Sequence, residues 1–317
     1  MRKRIRHWRR RFWLLKLLII LFACSQFPMC RNQLTDILHQ QEPAEDDAAG
    51  ENLQPVMEVH YIDVGQGDST LVICGSHGML IDAGGNDKGS YVWKYLLDQG
   101  IGTDVSLDYV IGTHKDEDHI GGMDVILTKF DCGTVFLGKS TKSTRTYEDV
   151  VNAAFYKNYS LAMPQVGSTY MLGDASFTIV APNGDYKDEN NCSIGIRLVY
   201  GSTRFLFMGD AESESEQDTL QNGLDLSADV YKVSHHGSST STTDEFLQAV
   251  SPKYCVISCG AGNSYGHPHI EAIEKLQLAG VEIYRTDENG TVVAVSDGKN
   301  ISFPGVDIPE FLIMKFE

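Results

Sequence analysis

The chain has 317 residues, of which 42% are apolar and 22% charged, and a formal net charge of −17 at pH 7. That length and apolar share suffice for a full hydrophobic core in one large domain. The acidic balance argues against tight, non-specific nucleic-acid binding without metal ions or a local basic groove, because such a surface repels phosphate backbones.

In chain order the first element is basic and then apolar. Arg2, Lys3, Arg4, Arg6, Arg9, Arg10 and Arg11 precede a run from Phe12 to Ala23 that is broken by Lys16. The run is well short of the ~20 residues that a spanning helix needs, so it reads as an export signal. Leu21-Phe22-Ala23-Cys24-Ser25 is similar to a bacterial lipoprotein cleavage box with Cys24 as the lipidated residue, although Phe22 is larger than the side chain usual there. Residues 1–24 are therefore expected to be a signal or lipoprotein export segment. They put the protein on the extracytoplasmic side, held to the membrane by lipid or by an uncleaved signal, or secreted. Residues 25–54, rich in Gln, Glu, Asp, Ala and Pro, read as a flexible tether. Residues 1–16 hold eight of the 26 basic residues and no acidic one, which leaves 18 positive against 43 negative charges, a net of −25, for the rest.

Residues 55–303 read as the folded domain and 304–317 as a C-terminal tail. Strands are expected at Val59 to Val64, Ser69 to Cys74 and Met79 to Asp82, with a helix from Tyr91 to Gln99 stopped by Gly100. A strand from Tyr109 to Thr113, a helix from His119 to about Lys129, a strand from Thr134 to Leu137 and a helix from Tyr147 to Tyr156 follow. Hairpins return at Phe177 to Val180, Gly195 to Tyr200 and Arg204 to Met208. Strand, loop and helix then alternate: Val230 to Ser234 before a helix from Asp244 to Val250, and Tyr254 to Ser258 before a helix from Ile270 to Ala279. Strands around Ile283 and from Thr291 to Val295 close the domain. The pattern predicts an α/β (α+β) fold, a four-layer αββα sandwich. The seven cysteines, Cys24, Cys30, Cys74, Cys132, Cys192, Cys255 and Cys259, form no CxxC pair. Those within apolar runs are expected to be buried free thiols.

The densest chemistry lies in His114-Lys115-Asp116-Glu117-Asp118-His119, followed by Ile120-Gly121-Gly122. On extended backbone alternate residues point the same way, so His114 and Asp116 can grip one ion together. Where the chain turns into a helix, Asp118 and His119 can face a second. Carboxylates and imidazoles packed this closely are costly unless a cation neutralises them. Further metal-capable groups end other expected strands: Asp82, Asp210, His235 and, in the loop after Ser258, His267.

This order and spacing resemble the metallo-β-lactamase fold superfamily, whose signature is HxHxDH, then a distant His, a bridging Asp and a final His. Within it the chain resembles the soluble, stand-alone form of the hydrolase domain of the ComEC competence-protein family. The matching pieces are Asp63 to Ser69, Leu80 to Gly85, the HxDxDH-Ile-Gly-Gly motif, Asn190 to Ser193, Met208 to Glu212 and Lys232 to Ser238, within a likeness over about residues 56–298. The resemblance implies two divalent metal ions: one held by His114, Asp116 and Asp210 with Asn191 as an added donor, the other by Asp118, His119, Asp210 and His267, with Asp210 bridging. Asp116 stands where the superfamily has its second His, and Asn191 where it has the third. Both make the first site harder, which favours Mn²⁺ or Mg²⁺, while Zn²⁺ suits the second.

His235 and His236 are candidates to steady a phosphate oxygen or protonate a leaving group, or else form a structural pair bonded to backbone. His235 also stands as the alternative to His267 for the last ligand. Asp82 either orients a ligand histidine or caps its turn. Asp63, Gln66 and Asp68 line the same rim or brace it, and His60, His77 and His269 read as ordinary histidines. Ser69 and Ser193 have no base placed beside them by sequence, which speaks against a serine hydrolase. The function implied is metal-dependent hydrolysis of phosphodiester bonds, on DNA as a nuclease or on a related diester. The alternatives are a cell-surface phosphorylcholine or teichoic-acid esterase, which shares the His-His-Gly and Gly-His-Pro elements, and a non-catalytic lipid-anchored binding module. The complete ligand set speaks against the latter. β-Lactam hydrolysis is disfavoured by Asp116 and Asn191. No obligate protein partner is expected.

Overall fold

Period-two burial along the strands shows how the layers form. In a computed structural model describing residues 56–138 and 143–306, alternate side chains of each central strand enter different cores. The expected export segment and tether, Cys24, Cys30 and residues 307–317 of the tail lie outside the described residues.

The first half of the domain contains β1 (Met57–Tyr61), β2 (Thr70–Cys74), β3 (His77–Ile81), α1 (Gly89–Asp98), β4 (Ser106–Gly112), α2 (Glu117–Ile120), α3 (Met123–Lys129), β5 (Cys132–Leu137), α4 (Arg145–Tyr156) and β6 (Leu161–Ala162). The second contains β7 (Thr169–Leu172), β8 (Ala175–Ala181), β9 (Gly195–Tyr200), β10 (Thr203–Phe207), α5 (Ser213–Gln221), β11 (Val230–Lys232), α6 (Asp244–Val250), β12 (Tyr254–Ile257), α7 (Ile270–Leu278), β13 (Glu282–Arg285), α8 (Thr286–Asn289), β14 (Val292–Ser296) and β15 (Ile301–Ser302). One sheet runs β15-β14-β1-β2-β3-β4-β5-β6 and the other β13-β12-β11-β10-β9-β8-β7.

Met79 and Ile81 of β3 and Ile111 of β4 meet Phe205 and Phe207 of β10 and Val256 of β12 between the sheets. The intervening Leu80 and Val110 face the opposite way, towards Val92, Leu96, Ile126 and Val150 of α1, α3 and α4. Leu206, Cys255 and Ile257 pack in the same manner on Phe246, Val250 and Leu276 of α6 and α7. Three apolar layers between four layers of secondary structure are the expected αββα sandwich. Each fully buried Leu, Ile, Val or Phe contributes about 1.5–3 kcal/mol. Cys74, Cys132, Cys192, Cys255 and Cys259 are free thiols. Burial pushes the Cys259 thiol up to about 12.

The short elements β6, β7, α8 and β15 were not expected, and two further outcomes differ from the sequence expectation. The single helix expected from His119 to Lys129 is two helices, α2 and α3, divided at Gly121–Gly122. Here two stretches of backbone touch: a Cβ on Gly122 would lie 2.4 Å from Ala83 O, and one on Gly121 2.3 Å from Asn86 N. The helix α5 was not expected, because its buried positions are Ser215, Glu216 and Thr219 rather than an apolar stripe.

Strands β3 to β6 are parallel, as are β10 to β13. Their carboxyl ends carry the loops with Asp82, His114, Asp210, His235 and His267, the usual place for a site in such sheets. Among the described residues no helix is long and apolar enough to cross a membrane.

Candidate metal centre

The first-sheet half of the site is built around Asp82, just past β3. Its backbone is left-handed, φ 58°, a conformation that Asp tolerates better than most residues. The turn aims its carboxylate across to the β4 loop. Oδ1 accepts from Thr113 N at 2.8 Å, and Oδ2 accepts from Thr113 Oγ1 at 2.7 Å and lies 2.8 Å from His119 Nδ1. The Thr113 hydroxyl, already donating to Asp82, lies 3.1 Å from His114 Nδ1, which fits an Nδ1–H donor on that ring. Both imidazoles are thus held by Nδ1 and present Nε2 inward. Main-chain bonds lock the segment in place: Ala83 N donates to His119 O at 2.7 Å and Gly122 N to Gly84 O at 3.0 Å.

The second-sheet half supplies Asp210 after β10 and the two histidines after β11. His235 and His236 are consecutive left-handed residues, φ 49° and 53°, so their rings leave the chain in different directions. His236 is buried, with Nδ1 2.9 Å from Ser258 O, and its Nε2 lies 3.3 Å from Asp118 Oδ2, 3.4 Å from Asp210 Oδ2 and 3.3 Å from His119 Nε2. His119 Nε2 is 3.2 Å from Asp210 Oδ1. His235 is partly exposed; its Nδ1 is 3.1 Å from Glu212 Oε1 and its Nε2 3.8 Å from Asp210 Oδ2. Ser193 Oγ accepts from Asp210 N at 3.1 Å and lies 3.4 Å from His114 Nδ1, which makes that serine a brace between the halves.

Asp68, His119, Asp210 and His236 each offer a donor atom within 4.8 Å of the others, and all four are buried. His114 Nε2, Asp210 Oδ1 and His267 Nδ1 are buried without a hydrogen-bond partner among the described residues. Unpaired buried donors and acceptors are costly, and bound cations would satisfy His114 Nε2 and Asp210 Oδ1. Asp68, Asp82, Asp116, Asp118 and Asp210 each lie within 3.9 Å of His114, His119 or His236, and Lys232 pairs with one of them, Asp68; divalent ions would offset this gathering of negative charge. The residues present therefore fit a metal centre.

Electrostatics without an ion tell the same story. Burial disfavours a charge on His119 and His236, yet Asp210 and Asp82 beside the former, and Asp210 and Asp68 beside the latter, hold both rings well above the ordinary imidazole range. Burial alone would raise the Asp210 carboxyl, but His119 and His236 hold it well below its ordinary value. Burial and the neighbouring His119 lower His114. His267 falls to about 4, through burial and then through His236, His235 and His269.

The structure brings His114, Asp116, Asp118, His119 and Asp210 into one region, with Asp116 and Asp118 reaching solvent. Asp82 sits behind His119. Asn191 is placed differently: its Oδ1 accepts from Glu212 N at 2.9 Å and Ser215 N at 3.2 Å, at the start of α5. His267 lies beside His235, ring centres 5.3 Å apart, whereas His236 is the ring that meets Asp118, His119 and Asp210. The sequence places Asp68 either lining the rim or bracing it and assigns no role to Lys232, whose Nζ donates to Asp68 Oδ2 deep in the structure. No sequence pattern signalled that pair, because its members lie 164 residues apart.

Comparison with known proteins agrees with this architecture. The metallo-beta-lactamase superfamily profile matches residues 62–261. ComE operon protein 3 of Bacillus subtilis is 33% identical over 254 residues, covering 74% of this chain and 32% of that protein. Recombination protein 2 of Haemophilus influenzae is 30% identical over 245 residues, covering 75% and 29%. The chain thus spans about a third of the length of these relatives. The metallo-beta-lactamase fold protein YhfI of Bacillus subtilis superposes with a TM-score of 0.52 at 13% identity, covering 76% of this chain and all of that one, which supports the fold alone. With the profile match over most of the described domain and a donor cluster at the expected strand ends, the chain belongs to the metallo-beta-lactamase superfamily.

Proposed function

We propose that the protein is a metal-dependent phosphodiesterase with a two-ion centre, acting on the extracytoplasmic side on nucleic acid or a related phosphodiester and held at the membrane by its N-terminal segment. The observation that carries this reading is the donor set itself: three carboxylates, from Asp116, Asp118 and Asp210, stand beside three imidazoles, from His114, His119 and His236. So oxygen-rich a set favours hard divalent ions such as Mn²⁺, with Zn²⁺ or Mg²⁺ as further candidates, and suits phosphoryl more than lactam chemistry. His114, Asp116 and Asp210 would hold one ion. Asp118, His119, Asp210 and His236 would hold the other, with His267 in reserve at the rim. Similarity to competence proteins supports a nucleic-acid substrate.

Divalent ions bound there would supply Lewis acidity for a water nucleophile and neutralise charge on the phosphoryl oxygens. The chain's own groups do the rest. Asp82 and Ser258 O fix the His119 and His236 rings so that their Nε2 atoms stay inward. His235, with Nδ1 against Glu212 and Nε2 towards the open side of Asp210, is placed to pass a proton from Nε2 to the leaving oxygen while Glu212 steadies the imidazolium. Asp116, at the solvent edge, would repel an approaching anionic diester until a bound ion offsets its charge.

The purified full-length chain, assayed with Mn²⁺, Mg²⁺ or Zn²⁺ on linear DNA and bis-p-nitrophenyl phosphate, is expected to turn over in a way that chelation abolishes. Absence of turnover with every metal, or turnover unchanged by Asp210→Ala, overturns the proposal. Choline release from cell walls without DNA cleavage would move the substrate to the surface-esterase reading. Cys24→Ala is expected to release the protein from membranes, and retention would point to an uncleaved signal as the anchor.

A further inference from the structure

Asp68, one of the four residues of the donor cluster, is also half of a buried ion pair with Lys232 that binding an ion does not itself require. Lys232 ends β11 on the second sheet and is 2% exposed, while Asp68 comes from the loop between β1 and β2 on the first sheet and is 5% exposed. Taking both charges out of water is costly, and apolar pairs of similar volume often stabilise a fold as well or better. Stability alone therefore does not account for it.

The atoms that Asp68 faces are informative. Its Oδ2 receives Lys232 Nζ and lies 3.9 Å from His119 Nδ1, while Oδ1 is 3.3 Å from His236 Nδ1. Asp210 and Asp118 meet these rings at Nε2, the opposite edge. The lone-pair directions of the two ring nitrogens diverge, so a carboxylate on the Nδ1 side stands behind the ring rather than beside a shared ion. Asp68 Oδ1 makes no hydrogen bond among the described residues, since His236 Nδ1 points to Ser258 O, so the carboxylate acts on the ring through its charge. The backbone of Asp68 ties the same region together: N donates to Asp118 O at 3.0 Å, and O accepts from Gly84 N at 2.8 Å. His236, in left-handed backbone before Gly237 at φ 80°, depends on such contacts for its orientation.

We infer that Asp68 and Lys232 are positioning residues for the metal centre: Lys232 fixes the Asp68 carboxylate against the Nδ1 edges of His236 and His119, and the pair aligns both rings towards a divalent ion that neither member touches. The inference rests on the reading of the cluster as a metal centre. Partners behind ligand histidines typically govern metal affinity by ten- to a hundred-fold without changing how many ions bind.

The test is a titration of metal-stripped, full-length protein with Co²⁺, read by calorimetry and by the intensity of the Co²⁺ visible absorption, for wild type, Asp68→Asn, Lys232→Met and the double variant. Asp68→Asn is expected to keep stoichiometry and absorption intensity while affinity falls about ten- to a hundred-fold. Lys232→Met, which strands a buried carboxylate, is expected to unfold at lower temperature, and the double variant to regain stability but not affinity. Loss of one equivalent of Co²⁺, or a change in absorption intensity in Asp68→Asn at saturation, would make Asp68 a ligand and overturn the inference. Unchanged affinity in both Asp68→Asn and the double variant overturns it as well. If Lys232→Met does not fold, Asp68→Asn decides alone. A wild type that takes up no Co²⁺ at all overturns the metal-centre reading instead.

Discussion

The two halves of the rim reach the same few ångströms by different means. On the first sheet, His114 to His119 come from one short segment after β4, and backbone contacts through Gly84, Gly121 and Gly122 hold it. On the second sheet, Asp210, His236 and His267 come from three separate loops, held by the buried side chains of Ser193 and Lys232, by the backbone carbonyl of Ser258 and by the polar face of α5. The first half is therefore vulnerable to an added carbon atom, and the second to a lost hydrogen bond or charge. That contrast is open to direct attack by substitution.

The largest effect is expected on the second half. Asp210→Ala removes the carboxylate that faces both His119 and His236. Catalysed phosphodiester turnover should fall by about 1000-fold or more, the rate equivalent of the several kcal/mol that bound ions supply. Metal analysis of the purified variant should show the loss of bound ion alongside it. On the first half, Asp82→Asn keeps the shape but loses the charge behind His119 Nδ1. Metal affinity, measured by competition with a chelator, is expected to drop about ten- to a hundred-fold. If the two substitutions reversed in size, the second-sheet half would not hold the shared ligand.

A smaller effect tests the backbone contacts. In Gly122→Ala the new Cβ would meet Ala83 O at 2.4 Å and Gly89 Cα at 2.8 Å, neither the end of a flexible side chain. The cost is expected at about 1–3 kcal/mol. Thermal unfolding should shift down by about 2–4 °C for each kcal/mol. Gly85→Ala is the control in the facing turn after β3: its Cβ would meet only Asp87 Oδ1 at 3.4 Å and Glu117 Oε1 at 3.6 Å, and it should unfold like wild type.

Legibility from sequence follows the same division. The first half could be read because its donors are consecutive and follow an apolar strand, so a one-dimensional pattern contains the geometry. The longer central strands and the helices α1, α3, α4, α6 and α7 were readable for a related reason: each buries an apolar face that repeats at the period of its backbone, whereas the short β6, β7 and β15 were not. The helix α5 escaped because the face it buries is Ser215, Glu216 and Thr219. Likewise His235 and His236 are equivalent in sequence, and only the left-handed backbone decides that His236 turns inward while His235 meets Glu212. The partnership of Asp68 with Lys232 depends on the packing of two sheets and has no local signal at all.

Glu216 provides the smallest and most specific probe of the second half. Its carboxylate is fully buried, with Oε1 accepting from Thr242 N at 2.6 Å and Oε2 from Thr243 N at 2.8 Å, which clamps α5 to the chain entering α6. Burial raises its pKa above the ordinary 4.5 despite those two bonds and the nearby Lys275. A carboxyl raised in the fold binds its proton more tightly than in the unfolded chain, so its contribution to stability decreases as pH rises from the unfolded value through the folded one. Glu216→Gln resembles the protonated form in shape and has no titration. At the acidic end, near pH 4.5, the two proteins should differ by no more than about 1 kcal/mol, the worth of one neutral hydrogen bond. As pH rises towards neutrality wild type should lose ground to Glu216→Gln, because ionising a buried carboxylate costs more than its two donors return. Urea unfolding of both proteins across that range measures the drift directly. A wild type that instead gains on the variant with rising pH would mean that the clamp holds the ionised carboxylate more strongly than burial opposes it, and that the second half of the rim is braced by charge as well as by hydrogen bonds.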